Sequence, residues 1–587
     1  MLILAVWTRG GSASARFRMA LAAVLWFCFA ASGAAFADTP IFSQRDIIHP
    51  VFARHGMVAT QEAMATRVGL EILQRGGNAV DAAVAVGFAL AVTLPQAGNL
   101  GGGGFMMVYD AKTRATVAID FRETAPARAS RDMFLDAQGD ADPQQSRFSY
   151  RAVAVPGTVA GLALALARYG TLPLQDVVAP AVKLAEEGIP VSEDLSLSLQ
   201  RARERLAVWP ESLKTFFKPD GSPYQPGDRL IQRDLAASLK AIAEQGSAAF
   251  YNRDIARKIA ADMATNGGLI TLEDLKNYRP VVREPVRGRY RGYEIASMPP
   301  PSSGGVHLVQ LLNMVEHYPI AELGPNSAAT IHRLAEAMKL AYADRSEYLG
   351  DPDFVTVPQQ GLTAKAYAAA LVNRIDLEKA TPAPQIKPGN PAPCESDQTT
   401  HYSVMDQQGN AVAVTYTINF SYGSGIVAAG AGILLNNEMD DFSAKPGVPN
   451  AYGLIGGAAN AVVPGKRPLS SMTPTLVFKD GKPLLATGSP GGSRIITTVL
   501  QVIMNVVDHG MNIAEATVAP RIHHQWLPDQ LYVEEGLSPD TLRLLAAMGH
   551  QVTVSNAMGS THSILRAETG LYGYSDTRSP DALTAGY

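Results

Sequence analysis

Cysteine is close to absent from this chain, with Cys28 and Cys394 the two among 587 residues. Cys28 sits in an N-terminal stretch that reads as a removable leader, so one thiol remains and no internal disulfide can form. No Cys/His spacing matches a zinc ligand set, and the expectation is no metal and no cofactor. Basic charge is also short, 50 Lys and Arg against 54 Asp and Glu. The resulting net charge of −4 offers polyphosphate no attractive field, which argues against a nucleic-acid partner. No fixed-period repeat is visible, which sets solenoids and propellers aside.

What is present is ordinary globular composition, 47% hydrophobic and 18% charged, with length enough for a large buried core. Arg9, Arg16 and Arg18 precede the apolar run "MALAAVLWFCFAASGAAFA", which ends in Ala35-Phe36-Ala37. A charged start, an apolar core and a small-x-small ending make a signal peptide over 1–37. Its apolar core is shorter than the ~20 residues of a membrane span. Excision removes three positive charges and no negative ones, which takes the net charge from −4 to −7. The mature protein is expected in the periplasm or secreted, with no membrane contact.

"ATQEAMATRVGLEILQRGGNAVDAAVAVGFALAVTLPQ" predicts helices over about 60–75 and 79–93, broken at Gly76-Gly77 and stopped before Pro95. The second is apolar almost all round and should be buried on every side. "GFMMVYDAKTRATVAIDFRE" alternates as a hairpin that delivers Arg122 at its exit. Residues 150 to 380 read as mostly helical. From His401 the pattern changes to hairpins turning at Gln407–Asn410 and at Asp480-Gly481, then an apolar helix after Gly491-Gly492. Buried helices and antiparallel hairpins together predict an α+β fold of stacked sheets covered by helices on both faces.

The proline-rich "TPAPQIKPGNPAPCES" runs straight into "DQTTHYSV". By itself the pair Thr399-Thr400 reads as the start of a strand. A midchain threonine hydroxyl is a poor nucleophile, but a cut between Gln398 and Thr399 would place a new α-amine beside it. An α-amine titrates near ~7.7–8.0 and can accept the hydroxyl proton. The same hydroxyl can attack the Gln398 carbonyl and convert the peptide to an ester that water hydrolyses.

The segments "ESDQTTHYSVMDQQGNAVAVTYTIN", "GILLNNEMDDFSAKPGVPNAYGLIGG", "KRPLSSMTPTLVFKDGKP", "TGSPGGSRIITTVLQ" and "DALTAGY" closely resemble the γ-glutamyltransferases. The likeness continues upstream in "GGNAVDAAVA", "GNLGGGGFM", "DFRETAP", "VAVPGTVAG" and "MPPPSSGG". It implies an N-terminal-nucleophile hydrolase with a four-layer αββα sandwich, self-cleaved into a large piece, 38–398, and a small piece, 399–587, that stay together as a heterodimer. The implied substrates are small molecules: glutathione, other γ-glutamyl compounds, and amino-acid or peptide acceptors.

By motif match, the resemblance makes Thr399 the nucleophile and Thr417 its supporting hydroxyl. Arg122 suits the substrate α-carboxylate because a guanidinium binds it bidentately; without the "DFRE" match it would read as a surface pair with Glu123. Ser470 and Ser471 resemble the pair that also donates to this carboxylate. Asn419, Glu438 and Asp441 match the α-ammonium positions. Gly491 and Gly492, between a strand and a helix start, are assigned to the oxyanion hole. Residues 445–457 resemble a lid loop with Tyr452 as its covering aromatic.

Three other readings carry less. "GSPGGSR" and "NLGGGGF" lack the Gly-Lys-Ser/Thr ending of a phosphate loop. His523-His524 reads as two structural histidines, because neighbours on a strand face opposite sides. A glutaryl or cephalosporin acylase on the same scaffold, or an unprocessed γ-glutamyl-binding protein, are the functional alternatives.

Overall fold

A side-chain period of two sorts the strand Gly103–Asp110 between two cores. Phe105, Met107 and Tyr109 join one apolar cluster, while Met106 and Val108 join another. The strand Ala411–Thr417 repeats this, with Ala411 and Ala413 on the first side and Val412, Val414 and Tyr416 on the second. The computed structural model describes residues 46–391, 401–445, 447, 448, 450 and 453–587. The expected leader over 1–37 therefore lies outside the described residues. None of the described helices is long and apolar enough to cross a membrane.

Residues His49–Tyr587 form one unit built on two seven-stranded sheets. The first runs Leu583–Gly586, Met57–Thr60, His401–Met405, Ala411–Thr417, Gly103–Asp110, Ala115–Asp120, Val281–Arg283, antiparallel throughout. The second runs Val51–Ala53, Gly570–Ser575, His562–Ala567, Lys482–Thr487, Thr475–Lys479, Tyr293–Ser297, Val286–Tyr290, also antiparallel. Between them lie Met57, Phe105, Met405, Ala413, Leu476 and Ile564. Helices including Ala79–Thr93 cover the outer face of the first sheet; Ser303–Val315, Ala328–Tyr348 and Ile495–Val507 cover the second. This is the four-layer αββα order.

The helix Ala79–Thr93 is buried at every position, as its apolar circumference predicts. Asn78 caps it in a capping box with Asp81, and Pro95 follows its last turn. The preceding helix runs Ala63–Gln74, with the Glu62 carboxylate as its cap. The hairpin turn at Asp480-Gly481 has φ of 51° and 72°, a geometry suited to the sheet's twist. The middle segment is less purely helical than its sequence predicts. Val286–Tyr290 and Tyr293–Ser297 form a hairpin at one edge of the second sheet, turning at Arg291-Gly292. Gly288, close against Val309, interrupts the apolar side of this edge strand and hides the alternation.

The glycine strip Gly101–Gly104 is a packing device. A Cβ on Gly102 would lie 1.9 Å from the Thr417 carbonyl oxygen, and one on Gly101 would lie 2.2 Å from that of Leu434. Gly102→Ala is expected to cost about 3 kcal/mol or more through overpacking, read as a fall in the denaturant midpoint; an unchanged midpoint would contradict this packing role.

Candidate active site

Asn436 ties together three of the segments singled out in the sequence. Its amide nitrogen donates to the Gly101 and Ala154 carbonyls, both at 2.8 Å. Its oxygen accepts from Ala154 N at 3.0 Å and Glu438 N at 2.9 Å. A fully buried amide using both ends in this way holds the turn Glu438–Asp441 against the glycine strip.

Arg122 is fully buried and leaves the strand Ala115–Asp120 with its backbone fixed at both ends. Its N–H donates to Asp120 Oδ1 at 2.9 Å, and its carbonyl accepts from the Tyr278 hydroxyl at 2.8 Å. The guanidinium forks: Nη1 pairs with Glu438 and Nη2 with Asp441 at 2.6 Å, while Nε reaches the Pro468 carbonyl at 3.4 Å. Glu123 is also fully buried, 3.5 Å from Nη1, so its contact with Arg122 is not the surface pair that an isolated "RE" suggests. One cation thus faces three buried carboxylates. Among the described residues Glu438 Oε2, Asp441 Oδ1, Ser470 Oγ and both Glu123 oxygens meet no hydrogen-bond partner. Such atoms are costly to bury, and a ligand carrying both an ammonium and a carboxylate supplies what they lack.

Burial is the main cause that lifts the Glu123 carboxyl to about 7, against the opposing pull of Arg122. Burial likewise raises Glu438 well above the usual carboxylate range, with Glu123 and Asp441 adding repulsion. An incoming ammonium needs ionised partners, so kcat/KM should rise with pH through neutrality. Glu438→Gln is expected to move that acidic limb to lower pH in a pH–rate profile; an unmoved limb would assign it elsewhere.

Ser470 and Ser471 are fully buried on a segment held by "PPPSSGG". The Ser470 carbonyl accepts from Ser303 N at 3.2 Å and Ser303 Oγ at 3.0 Å, and Ser302 Oγ donates to the Met472 carbonyl. Arg345, on the helix Ala328–Tyr348, donates to Ser471 Oγ at 3.4 Å and Ser303 Oγ at 3.3 Å. On the same face, Tyr342 donates to the Ser493 carbonyl next to Gly492. Gly491 and Gly492 have φ of 133° and 59°, which a side chain would oppose. They precede the helix Ile495–Val507, where backbone N–H groups point out of the helix end.

Thr417 ends its strand, and its Oγ accepts from Asn419 N at 2.8 Å, which leaves its own proton to donate. Asn419 sits at φ 69°, in the left-handed region that tolerates Asn, and its side chain donates to the Asn437 carbonyl at 3.1 Å. Through Asn437 this pair adjoins Glu438. Gln398, Thr399 and Tyr452 lie outside the described residues; the strand His401–Met405 begins two residues after Thr399, buried at every position.

A cavity of about 140 Å³ opens beside Asp441, lined also by Arg345, Asp440 and Leu469. Lys445, Val448, Asn450 and Leu454, from the segment resembling a lid, line it too. His523 bonds Thr497 Oγ1 at 2.9 Å and Gln525 at 3.1 Å; His524 accepts from Trp526 N and pairs with Asp529 at 3.3 Å. Both are satisfied structural side chains, as their spacing predicts. Sequence reasoning missed Arg345, Tyr342, Ser303 and Asn436. The first two lie on a helix buried on nearly every side, where no amphipathic stripe marks an inward-facing cation.

A family model described as Gamma-glutamyltranspeptidase matches residues 65–586. The glutathione hydrolase proenzyme of Escherichia coli (strain K12) is 59% identical over 573 residues, covering 97% of this chain and 99% of that protein. Among solved structures, the cephalosporin acylase from Bacillus halodurans superposes with a TM-score of 0.83 at 30% identity, over 94% of this chain and 99% of that one. The Helicobacter pylori gamma-glutamyltranspeptidase matches with a TM-score of 0.56 at 46% identity, over 60% of this chain and 97% of that one. With the family model matched over residues 65–586 and 59% identity to that relative over nearly the whole chain, the chain belongs to the gamma-glutamyltranspeptidase family.

Proposed function

We propose that this protein is a periplasmic γ-glutamyltransferase that hydrolyses glutathione and passes γ-glutamyl groups to amino acids, peptides or water. The observation that carries the reading is the buried fork of Arg122 on Glu438 and Asp441, each acid keeping one unpartnered oxygen, with the buried Ser470 Oγ likewise unpartnered. A free γ-glutamyl group is a zwitterion at its α-carbon. Its carboxylate is the group for Arg122, Ser470 and Ser471; its ammonium is the group for Asn419, Glu438 and Asp441.

In turnover, Thr399 Oγ attacks the γ-carbonyl while the Thr399 α-amine takes the hydroxyl proton. The developing oxyanion is met by the Gly491 and Gly492 N–H groups, where one lost donor costs about 2.7–4 kcal/mol of barrier. Thr417 donates toward the nucleophile. The amine returns its proton to the leaving cysteinylglycine, and water or an acceptor amine then takes the γ-glutamyl group from the threonyl ester. Tyr452 closes the site as part of the loop 445–457.

The same hydroxyl first cuts the chain between Gln398 and Thr399. Both sheets draw strands from both sides of that bond. In the first, His401–Met405 and Ala411–Thr417 sit between Met57–Thr60 and Gly103–Asp110. Pieces interleaved in this way stay joined by two sheets and the core between them, which accounts for a heterodimer of 38–398 and 399–587.

The likeness to a cephalosporin acylase makes a glutaryl amide the competing substrate. A glutaryl group has no α-ammonium and leaves Glu438 and Asp441 unanswered. A γ-glutamyl anilide is therefore expected to exceed the glutaryl anilide in kcat/KM by at least about 100-fold, the equivalent of about 3 kcal/mol for a charged hydrogen bond. Comparable rates would assign the acylase function. An intact mass showing one uncut chain would instead favour a binding protein.

A further inference from the structure

We propose that His332, Glu336 and His550 form a binding site for a divalent transition metal of the zinc class. One ligand atom from each lies within 4.8 Å of the other two, and all three residues are buried. His332 and Glu336 are four residues apart on the helix Ala328–Tyr348 and share a face. His550 arrives from the turn after the helix Pro539–Ala547. Ligands held at ~2.0–2.2 Å around one tetrahedral ion stand about 3.4 Å apart, so small side-chain rotations complete the set.

The imidazoles are oriented for this. His332 Nε2 lies 2.7 Å from the Asp376 carbonyl, which can only accept, so Nε2 carries a proton and Nδ1 of the neutral ring is a bare lone pair. A carbonyl orienting the far nitrogen is the usual outer support of a metal-bound histidine. That lone pair faces His550 Nε2 at 2.8 Å. Without an ion, His550 Nε2 donates a proton across this gap. With one, the His550 proton moves to Nδ1 and both facing nitrogens ligate.

Glu336 completes the set. Its Oε1 takes Lys339 Nζ at 2.8 Å, while Oε2 has a longer contact with Thr381 N at 3.2 Å. Lys339 Nζ also donates to the Thr381 carbonyl at 2.8 Å and stands 3.8 Å from Asp529. The ammonium opposes a second cation nearby, so affinity falls below that of a closed four-ligand structural site. Two neutral nitrogens with one carboxylate select zinc, cobalt or nickel over magnesium and calcium, which prefer all-oxygen shells. Asp529, 28% exposed at its side chain, marks the way in from solvent.

Tyr342 and Arg345 lie ten and thirteen residues beyond His332 on the same helix, about 15–20 Å away at 1.5 Å per residue. The ion therefore stands apart from the reacting groups. It ties this helix to the 549–550 turn and to the Asp376–Thr381 segment, and its effect is on stability.

The test uses the full processed protein, stripped with a chelator and titrated with Co²⁺ alone. One Co²⁺ per chain with the visible bands of nitrogen ligation is expected, displaced by Zn²⁺, with a melting midpoint that rises with Zn²⁺ concentration. His550→Gln keeps a donor facing His332, so it should fold, retain γ-glutamyl anilide turnover and lose the bands; His332→Gln should lose them too. No bands from the unmutated protein, or bands that persist in either variant, would overturn the proposal.

Discussion

Thr399→Ala is expected to give a single uncut chain with turnover lowered on the order of 10⁶-fold, the scale on which removing a covalent nucleophile acts. The size follows from two losses at one residue. Without the hydroxyl there is no attack on the Gln398 carbonyl, so no new α-amine forms, and substrate meets neither nucleophile nor base. Thr400 cannot substitute, because its nitrogen remains in a peptide bond. A denaturing gel of the variant decides the matter: two fragments would remove Thr399 from the cleavage step, and retained turnover would remove it from the reaction.

Arg122→Ala carries the second large effect, and it acts on both binding and stability. The guanidinium balances Glu123, Glu438 and Asp441, all buried. Taking away one partner of a buried pair typically costs about 3–5 kcal/mol, because the remaining charge is left uncompensated. KM for γ-glutamyl substrates should rise at least about 100-fold from the lost bidentate contact. The pH sign is definite. Without the cation, the Glu123 and Glu438 carboxyls, already raised by burial, hold their protons in the folded state to higher pH than in the unfolded chain. The folded state then binds more protons, and stability falls as pH rises. The variant should lose most of its melting midpoint above neutrality and recover part of it in acid, where Glu123 and Glu438 are protonated. Arg122→Lys should restore part of the stability and little of the KM, since an ammonium returns charge without the fork. A variant midpoint with the same pH slope as the unmutated protein would contradict the charge balance.

Much of the architecture was legible because it rests on local periodicity. The helix Ala79–Thr93 announces itself by an apolar circumference between a capping residue and a proline, and the hairpins by alternation around Gly-containing turns. The edge hairpin at 286–297 was hidden, because Gly288, which packs against Val309, leaves the inward side of Val286–Tyr290 without an apolar residue at its centre. Glu123 drew no role of its own for a related reason: adjacent opposite charges, taken without their motif, look like a surface pair until the fold buries both.

What the sequence determined by itself was structure with local causes: the strands and helices of a layered α+β fold, and charged and hydroxyl side chains of the kinds a zwitterion needs. Only the tertiary structure decided how those residues answer one another. The fork of Arg122 on Glu438 and Asp441 spans more than 300 positions, and Arg345 reaches Ser471 across 126. His332 and His550 stand 218 residues apart and meet at 2.8 Å. Periodicity reports which face of an element turns inward, but a burial cost shared among distant charges exists only once the layers have closed around them.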